Sequence, residues 1–152
     1  MAHITYLSED AFSEKFGRTP HPERDKPGFG IDFAVESYLD HQGKVFIERF
    51  DALSYLYLSR VMDYFDPFSR PNATDAVTAE PVNFLVMSFD TDWRFSTEHS
   101  RRIVKHLQNA AQPVTFRDIP SSWGHDSFLL PLQRYHDTLR AWFDRSLREG
   151  LR

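Results

Sequence analysis

Eight residues in the second half of the chain, Val82-Asn-Phe-Leu-Val-Met-Ser-Phe89, form a nearly continuous apolar run closed by Pro81 and Asp90. Successive side chains of a strand point to opposite faces, so such a run needs cover on both of them. That is the pattern of a central strand in a parallel sheet flanked by helices. The residues that follow continue the theme. Ser96 stands where it can cap a helix that carries Ile103, Leu107 and Ala110 at helical spacing. Pro113-Val-Thr-Phe-Arg-Asp-Ile119 reads as a second strand, and a Pro-Ser-Ser-Trp-Gly loop comes next. The chain then ends in a helix with Leu132, Tyr135, Leu139, Trp142 and Phe143 on one side. The order β-α-β-loop-α predicts an α/β fold whose two strands are parallel neighbours joined by a right-handed crossover.

The first half has a different character. A stretch rich in Pro, Asn, Asp, Ser and Thr, Pro67–Pro81, reads as a linker or long loop between the halves. Before it the patterns are helical. Ser8 can cap a short helix with Phe12 and Phe16 one turn apart and Gly17 as its stop. Residues 18–30 hold three Pro and two Gly and read as loop. Asp32 can open a second helix, with Val35, Tyr38 and Leu39 on one face and Gly43 at its end. A third helix runs from an Asp51 cap to Phe65, before Pro67. Leu53, Tyr57, Val61 and Tyr64 line one face of it, and Tyr55, Leu58 and Met62 another. A helix apolar on most sides is either buried or set against a partner.

Composition closes several routes. With 152 residues the chain can form one real core, and 14 Phe supply much apolar area to bury. A net charge of −4 argues against a general nucleic-acid binder, which would show a basic stripe. No stretch approaches the roughly 18 consecutive apolar residues needed to cross a bilayer. The first residues show no basic region followed by an apolar run, so no signal peptide is expected and the cytoplasm is the default location. The absence of cysteine removes disulfides, thiolate metal sites and a cysteine nucleophile together.

Two loops hold the residues best suited to chemistry, and each follows a predicted strand: Phe89-Asp-Thr-Asp-Trp-Arg-Phe95 and Trp123-Gly-His-Asp-Ser-Phe128. The crevice outside the carboxyl ends of parallel strands is where ligands bind in open α/β sheets. If the strands are neighbours, a carboxylate of the first loop can reach His125. That would form the back half of a Ser-His-Asp relay, in the acid-then-histidine order found in α/β-hydrolases. Spacing alone leaves Asp90 and Asp92 as rival acids. Taken singly, an Asp after a strand is commonly a turn or cap residue, and a loop His is commonly structural.

The front half of such a relay is not in the sequence. A nucleophile elbow needs Gly-x-Ser-x-Gly, and none of the six glycines has Ser two positions on. His99 and His106 fit no common metal template, and there is no Gly-rich phosphate loop, so no metal site is expected.

With those loops in view, the sequence resembles the homoserine O-acyltransferases along nearly its whole length. The resemblance is carried by Ala2-His-Ile-Thr-Tyr6, Val35-Glu-Ser-Tyr-Leu39, Phe50-Asp-Ala52, Ser54-Tyr-Leu-Tyr57 and Met62-Asp-Tyr-Phe-Asp66. Most specific are Ser88-Phe-Asp-Thr-Asp-Trp-Arg-Phe95 and Gly124-His-Asp-Ser-Phe-Leu129. It implies a helical lid (about residues 1–70) set into an α/β-hydrolase core whose last strands lie in residues 71–152, and a homodimer formed through lid helices. The implied reaction moves an acyl group from acyl-CoA to the hydroxyl of L-homoserine on the way to methionine, with no cofactor beyond the acyl-CoA co-substrate. On this sequence the family's acid falls on Asp92 and its base on His125. Asp126 matches a residue that engages the homoserine ammonium, and Tyr6 a substrate-contacting lid tyrosine. Arg94 matches a position that is Arg in succinyl-transferring members and apolar in acetyl-transferring ones. A guanidinium suits the succinyl carboxylate, which points to succinyl-CoA over acetyl-CoA.

The resemblance also implies a departure. The chain is less than half the family's usual length. It is expected to begin within the lid and to lack the upstream half, with its nucleophilic serine, oxyanion-hole loop, first strands and a substrate-binding arginine. The expectation is therefore an acyltransferase fragment inactive by itself. A non-catalytic interaction module that keeps the dimerising helices is the alternative from another class.

Overall fold

The computed structural model describes residues 2–23, 28–67, 69 and 81–150. Most of the expected Pro67–Pro81 linker lies outside them. The fold is α/β. Its elements in order are α1 (Ala2–Thr5), α2 (Glu9–Lys15), α3 (Ala34–Arg49), α4 (Ala52–Tyr64), β1 (Phe84–Phe89), α5 (Thr97–Asn109), β2 (Val114–Ile119), a 3-10 helix (Gly124–Leu129) and α6 (Gln133–Gly150). Packing divides the chain into two compact units, Met1–Ala11 with Phe68–Arg152, and Phe12–Pro67. The first eleven residues thus fold with the strands.

In that unit β1 and β2 pair in parallel, in continuous register from Phe84 opposite Val114 to Phe89 opposite Ile119, as the β-α-β order predicts. The crossover helix α5 packs on both strands. Phe89, Ile119, Leu107, Ala110 and Ala11 are the buried apolar residues of this unit, and within each strand burial is deepest at the carboxyl end. The ring of Tyr135, from α6, meets Phe89 at 5.6 Å between centroids. Double-sided cover does not extend along the whole of β1, because Phe84 to Met87 are only half-buried. A cleft of about 600 Å³ separates Leu85, Thr115 and Arg117 on the sheet from Arg134, Asp137 and Trp142 on α6. The apolar run therefore carries more hydrophobic surface than the described residues cover.

Local signals set most boundaries. The Ser8 hydroxyl accepts the Ala11 N–H at 3.1 Å and caps α2 as expected. Ser96 begins α5 through its carbonyl, which accepts the His99 N–H at 2.9 Å, and its hydroxyl makes no cap bond. The expected loop after Trp123 is instead a 3-10 helix, entered through Gly124 at φ +66°. At the far end of α5, Ala111 sits at φ +55°, a conformation that L residues adopt at a cost of about 1–2 kcal/mol. The amides beyond the helix still bond back, Ala111 N–H to Gln108 and Gln112 N–H to Leu107, both at 3.0 Å. This is the helix end that usually selects glycine.

The second unit, Phe12–Pro67, is built on aromatic contacts. The Phe16 ring lies 5.0 Å from both Phe12 and Tyr38 in tilted contacts, and the Lys15 ammonium lies 4.9 Å over the Tyr38 ring. Gly43 does not end the second helix. α3 runs on to Arg49, because one interior glycine costs only about 1 kcal/mol and Lys44 to Ile47 restore helical side chains. At its start the N-cap position is Phe33, not Asp32, and the Glu36 carboxylate reaches back to accept the N–H groups of Asp32 at 2.7 Å and Phe33 at 3.0 Å. Asp51 caps α4 by accepting the Ser54 N–H at 2.8 Å. Leu53, Tyr57, Val61 and Tyr64 are all exposed along α4, and so are Tyr55, Leu58 and Met62. Among the described residues no helix is long and apolar enough to cross a membrane.

Two outcomes test these local rules. Replacing Ala111 with Gly should raise the denaturation midpoint by an equivalent of about 0.5–1 kcal/mol, since relief of the left-handed backbone outweighs the entropy glycine adds to the unfolded chain. Asp51 is held below the ordinary carboxylate range by its bonds from Ser54. Its contribution is therefore complete above the ordinary range and disappears as pH falls through the lowered value. The Ser54 amide resonance should titrate with that lowered midpoint, and Asp51→Ala should abolish the titration.

Candidate active site

Parallel pairing sends the chain out of both strands at the same end of the sheet, so Asp90–Phe95 and Pro120–Phe128 emerge side by side. The ladder's last bond runs from the Asp90 N–H to the Ile119 carbonyl at 3.2 Å. The next donor in this register is the Ser121 N–H, which bonds a side chain instead, and side chains then take over the connection between the loops. Asp90 accepts the Ser121 N–H at 2.9 Å. The Thr91 hydroxyl donates to the Ser121 carbonyl at 2.6 Å and accepts the Gly124 N–H at 3.0 Å. The Ser127 hydroxyl, fully buried, lies 2.7 Å from the Ser121 hydroxyl and donates to the Gly124 carbonyl at 2.5 Å.

Asp92 and His125 meet across this junction, with 2.7 Å between Asp92 Oδ2 and His125 Nδ1. The other carboxylate oxygen, Oδ1, accepts the N–H groups of Arg94 at 3.2 Å and Phe95 at 2.9 Å. An ionised carboxylate can only accept, so the shared proton sits on Nδ1 and leaves the Nε2 lone pair available. The Asp92 side chain is 4% exposed and the His125 side chain 26%. The carboxylate is thus buried with both oxygens hydrogen-bonded, and the imidazole keeps an open side. Such a pair can take a proton from a hydroxyl placed at Nε2 and return it later, while Asp92 holds the tautomer and steadies the imidazolium.

The two carboxylates that spacing leaves open are placed differently. Asp90 is exposed and bonded to the Ser121 backbone, whereas Asp92 is the carboxylate on His125. Of the other sequence-derived residues, Tyr6 stands closest, its ring centroid 4.8 Å from that of His125. Asp126 follows His125 in the 3-10 helix, half-buried, and its N–H donates to the Tyr6 carbonyl at 3.2 Å. Arg94 is exposed, and its guanidinium lies 5.8 Å over the Phe95 ring.

Two residues that the sequence reading gave no role complete the surroundings. Phe95 and Phe128 lie 4.6 Å and 5.2 Å from the imidazole, so three aromatic rings surround it. Helical or strand spacing could not have found them, because they come from two loops. Their one sequence signal is proximity to Asp92 and His125 within short aromatic-rich segments.

The N-terminal segment fastens both loops. The Trp93 indole donates to the Leu7 carbonyl at 3.3 Å, and the Ser8 hydroxyl donates to the Ser122 carbonyl. Gly124 is forced by this packing. A Cβ there would stand 2.6 Å from Ser8 N and 2.8 Å from Tyr6 O, both backbone atoms, and φ is already left-handed. Gly124→Ala should therefore destabilise by about 2–4 kcal/mol, combining left-handed strain with overpacking, as read from denaturant unfolding.

No family model matches the chain. It is similar, however, to curated proteins named homoserine O-succinyltransferase. One from Magnetococcus marinus is 50% identical over 149 residues, which is 96% of this chain and 38% of that protein. One from Acidithiobacillus ferrooxidans is 47% identical over 152 residues, 98% of this chain and 40% of that protein. One from a Nocardioides species is 45% identical over 139 residues, 91% of this chain and 38% of that protein. The chain spans about two-fifths of the length of the curated relatives it matches. Close to half of its residues are identical along nearly its entire length, so this chain is similar to homoserine O-succinyltransferases over the part of their length that it spans.

Proposed function

We propose that the chain supplies the acid and base of a homoserine O-succinyltransferase, an acyltransferase of the α/β-hydrolase type. The observation that carries this reading is the Asp92–His125 pair, 2.7 Å apart at the carboxyl ends of adjacent parallel strands. In this reading the nucleophile is a serine outside these 152 residues. His125 Nε2 takes the serine proton as the serine oxygen bonds to the thioester carbon. The C–S bond breaks, and the departing CoA sulfur receives that proton. The hydroxyl of L-homoserine then gives its proton to His125 while its oxygen bonds to the acyl carbon. Serine leaves and regains the proton.

The remaining roles follow from charge and place. Asp126, next to the base, pairs with the homoserine ammonium, and Tyr6 contacts substrate beside the imidazole. Arg94 pairs with the free carboxylate of the succinyl group. The reaction needs no cofactor besides acyl-CoA and serves methionine synthesis in the cytoplasm. Residues 1–70 act as the helical lid and residues 71–152 as the end of the hydrolase core. The exposed apolar sides of α4 suit the homodimer contact expected of lid helices.

The test is CoA release with L-homoserine and either succinyl-CoA or acetyl-CoA, on the 152-residue chain and on a longer chain that carries the serine elbow. Only the longer chain should turn over, and it should prefer succinyl-CoA. Arg94→Leu should cut that preference on the order of ten- to a hundredfold, the worth of one charge-assisted hydrogen bond. Turnover by the 152-residue chain would refute the assignment of the nucleophile, and a preference for acetyl-CoA would refute the role of Arg94.

A further inference from the structure

Three consecutive residues after β1 each reach into the loop that carries His125. Asp92 does so as the acid and Asp90 through a single bond to the Ser121 N–H. Thr91, half-buried between them, uses its hydroxyl in both directions, donating to the Ser121 carbonyl at 2.6 Å and accepting the Gly124 N–H at 3.0 Å. Both partners lie within four residues of His125, and Gly124 is its immediate neighbour. Gly124 sits in a left-handed turn, and the Thr91 hydroxyl accepts its N–H there. The backbone ladder does not supply this link, because its last bond runs from the Asp90 N–H to the Ile119 carbonyl and the next donor, the Ser121 N–H, goes to the Asp90 carboxylate.

We propose that Thr91 is a positioning residue whose hydroxyl clamps the two loops and so sets the distance between Asp92 and His125. Its two bonds fix Ser121 and Gly124 relative to position 91, and Asp92 is one peptide unit further on. Without the hydroxyl, Gly124 N–H loses its acceptor and the Ser121 carbonyl its donor. The 3-10 helix can then swing away from the acid, because the direct links left between the two loops are those of Asp90 and Asp92, with the N-terminal segment bridging them only indirectly. The functional weight of this inference rests on the reading of Asp92 and His125 as the acid and base.

The clamp is tested without any turnover. A histidine Nδ1–H bonded to a carboxylate gives a far-downfield, slowly exchanging proton resonance. The amide resonances of β1 and β2 report whether the sheet is intact. The wild-type chain and Thr91→Ser should show the downfield signal, and Thr91→Val and Thr91→Ala should lose it while the strand amides stay in place. If Thr91→Val fails to fold, the Ser and Ala variants decide the matter, since both drop the methyl and only one keeps the hydroxyl. A downfield signal kept in Thr91→Ala, lost in Thr91→Ser, or missing from the wild type overturns the clamp. A clamp that behaves as expected, in a protein whose longer form releases no CoA from either donor, would leave the positioning intact and remove the acyl-transfer reading.

Discussion

The pairing of β1 with β2 is the constraint on which the rest depends. Because the strands are parallel and in register to their last residues, Phe89 and Ile119 end together and the chain leaves both at one edge. An antiparallel pair would place the two exits at opposite ends of the sheet. A slip of either strand by one residue would turn its own terminal residue, Phe89 or Ile119, out of the core, since strand side chains alternate faces. The same burial that selects the register therefore brings Asp92 within reach of His125, 33 positions further along the chain.

Beyond the strands, order is maintained by small polar side chains and one glycine. Asp92 is buried, and its two oxygens meet two backbone N–H groups and an imidazole. A buried carboxylate without such partners would be costly, so the turn that follows β1 is as much a part of the site as the acid itself. Asp118 does the same for the sheet, accepting the hydroxyls of Ser88 at 2.8 Å and Thr97 at 3.0 Å and so tying β1, β2 and the start of α5 together. The N-terminal residues 6–8 press against Gly124 so closely that no side chain fits there. Neutral hydrogen bonds contribute only about 1 kcal/mol each, yet breaking one in a buried place leaves a partner unsatisfied. A junction built from several of them holds its geometry because each is costly to lose.

Much of this was legible in order along the chain. The apolar run ending at Phe89, the second run ending at Ile119 and the helical spacing between them carry the α/β reading. Ser8 and Asp51 mark helix starts by side-chain chemistry that acts within three residues. Where local signals compete, the reading weakened. Gly43 reads as a stop, but a single glycine does not outweigh the helix formers after it. Asp32 reads as a cap, but the N-cap position falls on Phe33, and Glu36 reaches back to the N–H groups of both. The residues after Trp123 read as loop because Gly124 breaks the pattern, and only the backbone shows that it opens a 3-10 helix.

The candidate site divides in the same way. Sequence by itself determined which residue types stand at the ends of the strands, the absence of a serine elbow, and the two motifs that carry the resemblance. Those features are local and survive without knowledge of any contact. It could not choose between Asp90 and Asp92 by spacing, because both lie in one turn and differ only in which way the carboxylate points. Tertiary structure decided that, and it also placed Tyr6, Phe95 and Phe128 around one imidazole and set Thr91 between the loops. Each of these depends on segments distant in sequence meeting at the carboxyl edge of the sheet, and hydrogen-bond direction and ring distance exist only once they have met.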